Sequence, residues 1–126
     1  MKKDTQDPES LARAYKKKNE REEARRQQFI AEKSKAARKE VERLVECFRE
    51  IDPGLKRLIL FGSLAEKRVR REDFDIDLAF DGTRYIQCLS IALQSSFKVD
   101  LIDVKTVRPG IRKEIEQYGE VVFYDQ

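Results

Sequence analysis

Apolar positions along the chain keep one period at a time, and the period changes where turn residues stand. Ala37, Val41, Leu44, Val45, Phe48 and Ile51 recur every three or four residues, the stripe of a helix with one buried face. No Pro or Gly interrupts the chain from Glu9 to Ile51, and Ala, Glu, Lys, Arg and Gln dominate it, so the pattern predicts one long helix. Ser10 is the expected N-cap. Asp52-Pro53-Gly54 is the stop, because Pro cannot continue a helix and Gly tolerates the turn. The stripe does not reach the front of this helix: between Lys16 and Gln28 the one apolar residue is Ala24. Residues 1–36 therefore read as a charged helical arm with a frayed start over Met1–Pro8 and little surface to bury. Leu11, Tyr15, Phe29 and Ile30 are its candidate anchors for a partner or for self-association. The blander reading is a projecting, solvated helix.

Residues 37–126 form the compact unit. Lys56–Phe61 is a short apolar run suited to a buried strand, and Asp75–Phe80 alternates acid and apolar with period 2. Helical spacing returns over Arg84–Gln94 through Tyr85, Cys88, Leu89 and Ala92, and Lys98–Val104 alternates again. Pro109 to Tyr118 begins with Pro and ends before Gly119, as helices often do, and Glu120–Tyr124 is a last strand. Tyr85 and Tyr118 are expected to pack on the sheet. The fold class is α/β (α+β), with a four-stranded mixed sheet whose strand order the pattern does not encode.

Composition narrows the chemistry. The 126 residues suit one ordinary domain, and 40% of them are charged, with a mean hydropathy of −0.71. No run approaches a membrane span, and the charged start Met1-Lys2-Lys3-Asp4 lacks the apolar core of a leader. Cys47 and Cys88 lie in apolar-patterned stretches without metal or redox spacing. They read as reduced core thiols, and the chain is expected to be cytoplasmic. There is no histidine, which excludes Ser-His-Asp and Cys-His nucleophile pairs, zinc-finger ligation and a histidine base. Residues 1–50 hold 15 Lys and Arg against 11 Asp and Glu, but the signs alternate along the helix. A solvated face explains them better than a nucleic-acid surface, so nucleic acid is not an expected partner.

The candidate chemistry lies between Gly62 and Asp103. On a strand, side chains two apart share a face, so Asp75 and Asp77 point one way while Ile76, Leu78 and Phe80 point into the core. Like charges on one face repel, which a solvated edge could tolerate but so apolar a strand makes costly. In Lys98-Val99-Asp100-Leu101-Ile102-Asp103, Asp100 opposes the core residues Val99 and Leu101. If the two strands are neighbours, Asp75, Asp77 and Asp100 share one sheet face. Such a cluster calls for hard divalent cations, such as a pair of Mg²⁺ ions, which take carboxylate oxygens together with substrate phosphates. Asp103 has core-side parity and Asp73 precedes the strand, so both are weaker candidates. Gly62-Ser63 follows the first strand: Gly permits close backbone approach, exposed amides attract phosphate oxygens, and the Ser63 hydroxyl adds a hydrogen bond. Lys67, Arg68, Arg70 and Arg71 form a basic loop that either draws a triphosphate toward the carboxylates or simply offsets their charge.

Phe61-Gly62-Ser63 followed by Asp75-Ile76-Asp77-Leu78 resembles the signature of the minimal nucleotidyltransferases, the small branch of the DNA polymerase β-like superfamily. Val99-Asp100-Leu101-Ile102-Asp103 is similar to that family's third-carboxylate strand, and Gly119-Glu120-Val121-Val122-Phe123-Tyr124 to its closing strand. The likeness runs from about Leu55 to Tyr124, which makes 37–126 the nucleotidyltransferase domain and says nothing of the arm. It implies metal binding and catalysis by Asp75, Asp77 and Asp100, nucleotide binding at Gly62 and Ser63, and Mg²⁺ as cofactor; the charge of the basic loop adds Lys67 and Arg68 as expected nucleotide-binding residues. The likeness further implies transfer of a nucleoside monophosphate from an NTP, ATP first among them, to a hydroxyl, with Asp100 the candidate base. In some members paired with HEPN toxins the acceptor is a tyrosine of the toxin. The chain departs from the pattern at Phe74, at Glu66-Lys67 and in an eleven-residue spacer between Ser63 and Asp75. A domain this small leaves little chain to build an acceptor pocket, so the acceptor is expected on a partner protein. The alternative is a non-catalytic module that binds nucleotide or a partner through the arm, its acidic site vestigial.

Overall fold

The computed structural model describes residues 7–125, in the order α1 (Pro8–Ile51), β1 (Arg57–Phe61), α2 (Gly62–Ala65), β2 (Ile76–Asp81), α3 (Tyr85–Ala92), β3 (Val99–Asp103), α4 (Pro109–Tyr118) and β4 (Glu120–Tyr124). The sheet has the order β3-β2-β1-β4, with β1 antiparallel to both β2 and β4 and β2 parallel to β3. The expected four-stranded mixed sheet is therefore present. Helix α3 makes the crossover that a parallel pair requires. One face of the sheet carries Leu58, Leu60, Ile76, Leu78, Phe80, Val99 and Leu101, covered by the stripe Ala37, Val41, Leu44, Val45 and Phe48 of α1 and by Cys88 and Ala92 of α3. The other face holds a smaller cluster of Ile59, Phe61, Ala79 and Ile115, where α4 lies across part of the sheet. Cys47 and Cys88 are free thiols, the second buried.

Several expectations need correction. Helix α1 starts at Pro8, and its cap is Asp7, whose carboxylate accepts from the Glu9 amide at 3.3 Å; Pro occupies the first turn, where no amide partner is missed. Ser10 is already inside the helix, its hydroxyl accepting from Arg13. The expected frayed start lies outside the described residues up to position 6. Strand β2 begins at Ile76, so Asp75 sits just ahead of it. Tyr118 is exposed instead of packed, whereas Tyr85 is partly buried and donates to the Leu101 carbonyl at 2.5 Å.

The arm differs most from its expectation. Leu11, Tyr15 and Phe29 are exposed, but Ile30 is buried against its own chain, so it is no partner anchor. Near it, Lys33 donates to the Glu72 carbonyl at 2.5 Å and lies 5.2 Å from the Phe74 ring centroid, while Arg26 donates to the Arg70 carbonyl at 3.3 Å. Helix α1 crosses position 36 without a break. Deleting residues 1–25 is expected to leave thermal unfolding nearly unchanged. Deleting 1–36 removes the burial of Ile30 as well, a loss of about 1.5–3 kcal/mol that unfolding in denaturant would register.

Candidate active site

The floor of the site is the Gly62 end of the sheet. Asp77 stands on β2 opposite Phe61 of β1 and opposite Asp100 of β3. The parallel pairing of β2 and β3 sets two carboxylate-bearing positions side by side on one face, as their alternation with core residues requires. Asp77 is half-buried and Asp100 exposed, so the pair runs from the interior to the sheet edge. Gly62 has a φ of +77°, in the region that disfavours side chains, and a Cβ built there would lie 2.2 Å from Asp77 Oδ2. The glycine is thus needed twice, for the turn from β1 into α2 and for the space the Asp77 carboxylate occupies.

Burial pushes the Asp77 carboxyl up to about 6, and the nearby charges of Asp100, Asp75 and then Glu114 add to the rise. Four acids are therefore electrostatically joined at this spot, one more than the strands alone suggested. Glu114 escaped sequence reading because it sits on α4, in a helix whose charges look like an ordinary solvated face. Asp75 is turned toward Lys98, with the ammonium 3.7 Å from its Oδ2. Among the described residues no three acidic, cysteine or histidine side chains are gathered closely enough to hold a metal ion together. Asp75, Asp77 and Asp100 share a neighbourhood and a charge field without forming a closed ligand cage in this conformation.

A cleft of about 500 Å³ opens beside Asp77, lined by Ser63, Arg68, Val69, Arg70, Arg71, Asp73, Phe74, Asp75, Asp77 and Lys98. Its acids and bases lie against each other, an arrangement suited to a ligand that carries both a cation and anionic oxygens. Arg68 is held by Glu66 at 3.0 Å, so the glutamate in the loop orients a basic wall residue. Lys67 is not part of this cleft. It adopts a φ of +56° and lines a separate cavity of about 260 Å³ with Gln27, Ile30, Ala31, Ser34, Arg38, Leu64 and Val69. Asp103 turns inward on its own backbone, its Oδ1 accepting from the Lys105 amide at 3.0 Å. The residues brought together are thus Ser63, Arg68, Asp75 and Asp77 around the cleft, Gly62 behind Asp77, and Asp100 beside it.

The donor set fits a hard divalent cation. Carboxylate oxygens are the ligands such ions prefer, and an acid forced upward by burial and then by like-charged neighbours is stabilised as soon as a cation arrives.

A family profile described as "Polymerase beta, Nucleotidyltransferase" matches residues 42–126. No curated protein sequence matches the chain. Among solved structures, a toxin–antitoxin with AMP-PNP is similar at 26% identity and a TM-score of 0.52, covering 68% of this chain and 73% of that one. A variant of the MntA–HpeT toxin–antitoxin is similar at 24% identity and a TM-score of 0.52, with coverage of 68% and 73%. A second variant of that complex gives 21% identity and a TM-score of 0.53, with coverage of 68% and 72%. These last two bear on the fold alone.

Proposed function

The chain belongs to the polymerase beta nucleotidyltransferase family, as one of its minimal members, and on that premise we propose that it moves a nucleoside monophosphate from ATP to a hydroxyl of a partner protein. The observation that carries this reading is the half-buried Asp77 carboxylate, beside Asp100 in register and against Gly62, with its proton affinity raised by burial and by its acidic neighbours. Asp75, Asp77 and Asp100 would hold Mg²⁺, which would neutralise the charge of the triphosphate. The chain's own residues do the rest. Arg68, Arg70, Arg71 and Lys98 draw the phosphates into the cleft, and Gly62 and Ser63 let the backbone and a hydroxyl approach them. The acceptor oxygen attacks the α-phosphorus, the bond from that phosphorus to the β-bridging oxygen breaks, and pyrophosphate leaves. Exposed Asp100 takes the acceptor proton.

The likeness to a toxin–antitoxin with AMP-PNP supports a toxin as the partner, and the resemblance of the Gly-Ser and Asp-Ile-Asp motifs to minimal nucleotidyltransferases, some of which pair with HEPN toxins, makes a toxin of that kind the first acceptor to test. The chain works in the cytoplasm, where ATP coexists with reduced thiols such as Cys47 and Cys88. The test is incubation of the chain, alone and with co-purifying partners, with Mg²⁺ and each labelled NTP. A labelled partner band with ATP supports the proposal; no transfer with any NTP, despite bound nucleotide, would overturn it.

The Gly-Ser turn carries its own expectation. Ser63→Ala should weaken AMP-PNP binding by roughly tenfold to a hundredfold, since one hydrogen bond to a charged phosphate oxygen contributes about 1.5–3 kcal/mol. Gly62→Val should do far more, because its side chain needs the space of the Asp77 carboxylate. Calorimetric titration of both variants, with circular dichroism to verify folding, checks this. Parent-like binding by both would reduce the turn to a connector.

A further inference from the structure

The segment between α2 and β2 supplies much of the proposed nucleotide cleft, yet it has no regular structure of its own. Its turns run from Glu66 to Asp75, and only Phe74 in it is buried. Its four bases, Lys67, Arg68, Arg70 and Arg71, are matched by four acids, Glu66, Glu72, Asp73 and Asp75, and almost none of these side chains is buried. Left to itself, such a stretch would present the cleft wall in many arrangements.

Helix α1 holds this segment at two points and the end of α2 that leads into it at a third. Arg38 donates to the Leu64 carbonyl at 3.0 Å, at the end of the turn that begins with Gly62 and Ser63. Lys33 donates to the Glu72 carbonyl at 2.5 Å and places its ammonium 5.2 Å from the centre of the Phe74 ring. Arg26 donates to the Arg70 carbonyl at 3.3 Å. Between them Ile30 is buried beside Leu64 and Val69. Arg26, Ile30, Lys33 and Ala37 follow each other at spacings of four, three and four, so they lie on one face of the helix. They continue the core stripe Ala37, Val41, Leu44 and Phe48 past the sheet and onto the loop.

We infer that Arg26 and Lys33 are positioning residues for nucleotide binding: they fix the carbonyls of Arg70 and Glu72, and through them the orientation of Arg68, Arg70, Arg71 and Asp75 around the cleft. This rests on the nucleotide reading of that cleft. Both donors lie in the part of α1 that precedes residues 42–126, so this chain completes its site with a segment outside the matched family region. Each bond is charge-assisted, with a cation donating to a neutral carbonyl. Lys33 adds a cation–π contact to Phe74, one residue before Asp75.

The experiment compares the full chain with Arg26→Ala/Lys33→Ala, with Lys33→Arg, and with Asp77→Asn. Three quantities are read: affinity for AMP-PNP with Mg²⁺, the thermal midpoint, and the rate of trypsin cleavage after Lys67, Arg68, Arg70 or Arg71. The double variant is expected to bind AMP-PNP at least fivefold more weakly and to be cleaved in this loop at least fivefold faster, at a midpoint within about 2 °C of the parent. Lys33→Arg, which keeps a donor and a cation over Phe74, should stay close to the parent in both. Parent-like affinity in the double variant, while Asp77→Asn abolishes binding, overturns the positioning role and leaves the site standing. Affinity that falls only in step with the midpoint overturns it too, since that marks a merely structural contact. If Asp77→Asn itself binds like the parent, the site reading fails, and the inference fails with it.

Discussion

Asp77→Asn is expected to lose nucleotidyl transfer by at least about a hundredfold while making the fold more stable at neutral pH. The amide keeps the size of the side chain and removes the charge that burial and Asp100, Asp75 and Glu114 oppose. Because Asp77 titrates near 6 when folded, above the ordinary 3.8, the native state binds its proton more tightly than the unfolded chain does. Its contribution to stability is therefore greatest at low pH and falls as pH rises from about 4 to about 6. Above that window the ionised group works against the fold by on the order of 1 kcal/mol, a figure reduced for solvent screening of a half-exposed acid. Urea unfolding of parent and variant at pH 4.5 and pH 7.5 measures this: the variant's advantage should appear at the higher pH and shrink at the lower. A variant less stable at both, with transfer intact, would mean that Asp77 is a structural acid. Added Mg²⁺ should stabilise the parent at pH 7.5 and leave the variant where it was.

The second large effect belongs to a carboxylate outside the cleft. Asp52, immediately after α1, is only 1% exposed and accepts from the amides of Gly54, Thr83 and Arg84 and from the Thr83 hydroxyl at 2.5–3.0 Å. It joins the end of α1 to the turn after β2, with Gly82 so close that a Cβ there would sit 2.5 Å from Asp52 Oδ2. Burial alone would raise its carboxyl, but the four donors outweigh that and hold it below the ordinary value. Asp52→Ala leaves those donors unpartnered in the interior and is expected to cost about 3–5 kcal/mol. Asp52→Asn keeps one acceptor oxygen and should cost less. With a lowered folded pKa, the stabilisation from Asp52 is present above about pH 4 and disappears as pH falls through the folded value. Acid unfolding of the parent should therefore steepen below pH 4, and that steepening should be absent from Asp52→Asn. Its persistence in the variant would assign the acid limb to other carboxylates.

Local pattern made much of this molecule readable. Period 2 in Asp75–Phe80 and Lys98–Val104 placed Asp77 and Asp100 on the face opposite Leu78 and Leu101, and their pairing in β2 and β3 follows that parity. What stayed hidden depends on groups distant in sequence. Strand order is decided by which hydrophobic faces meet, and no residue in β3 states that β2 will be its neighbour. Asp52 looked like part of a helix stop because its donors Thr83 and Arg84 lie 31 and 32 residues away. Arg26 and Lys33 looked solvated because they occupy the core stripe with charged ends, and only their reach to the carbonyls of Arg70 and Glu72 shows that the stripe continues. Lys67 shared a basic run with Arg68, yet its positive φ turns the chain, and the two side chains serve different cavities.

Strand β3 is the last strand on its side of the sheet, and Asp100 projects from it into solvent. The edge beside the cleft is therefore a rim where Asp100 meets solvent, and not a chamber. A small-molecule acceptor would arrive there with most of its surface still wet and with few contacts to hold it. A folded protein could rest on the rim and extend a single side chain across it, taking its binding energy from surface far from the chemistry. For the proposed transfer, this geometry would sort acceptors by what they bring with them, delegating selection of the substrate to the surface that presents the hydroxyl.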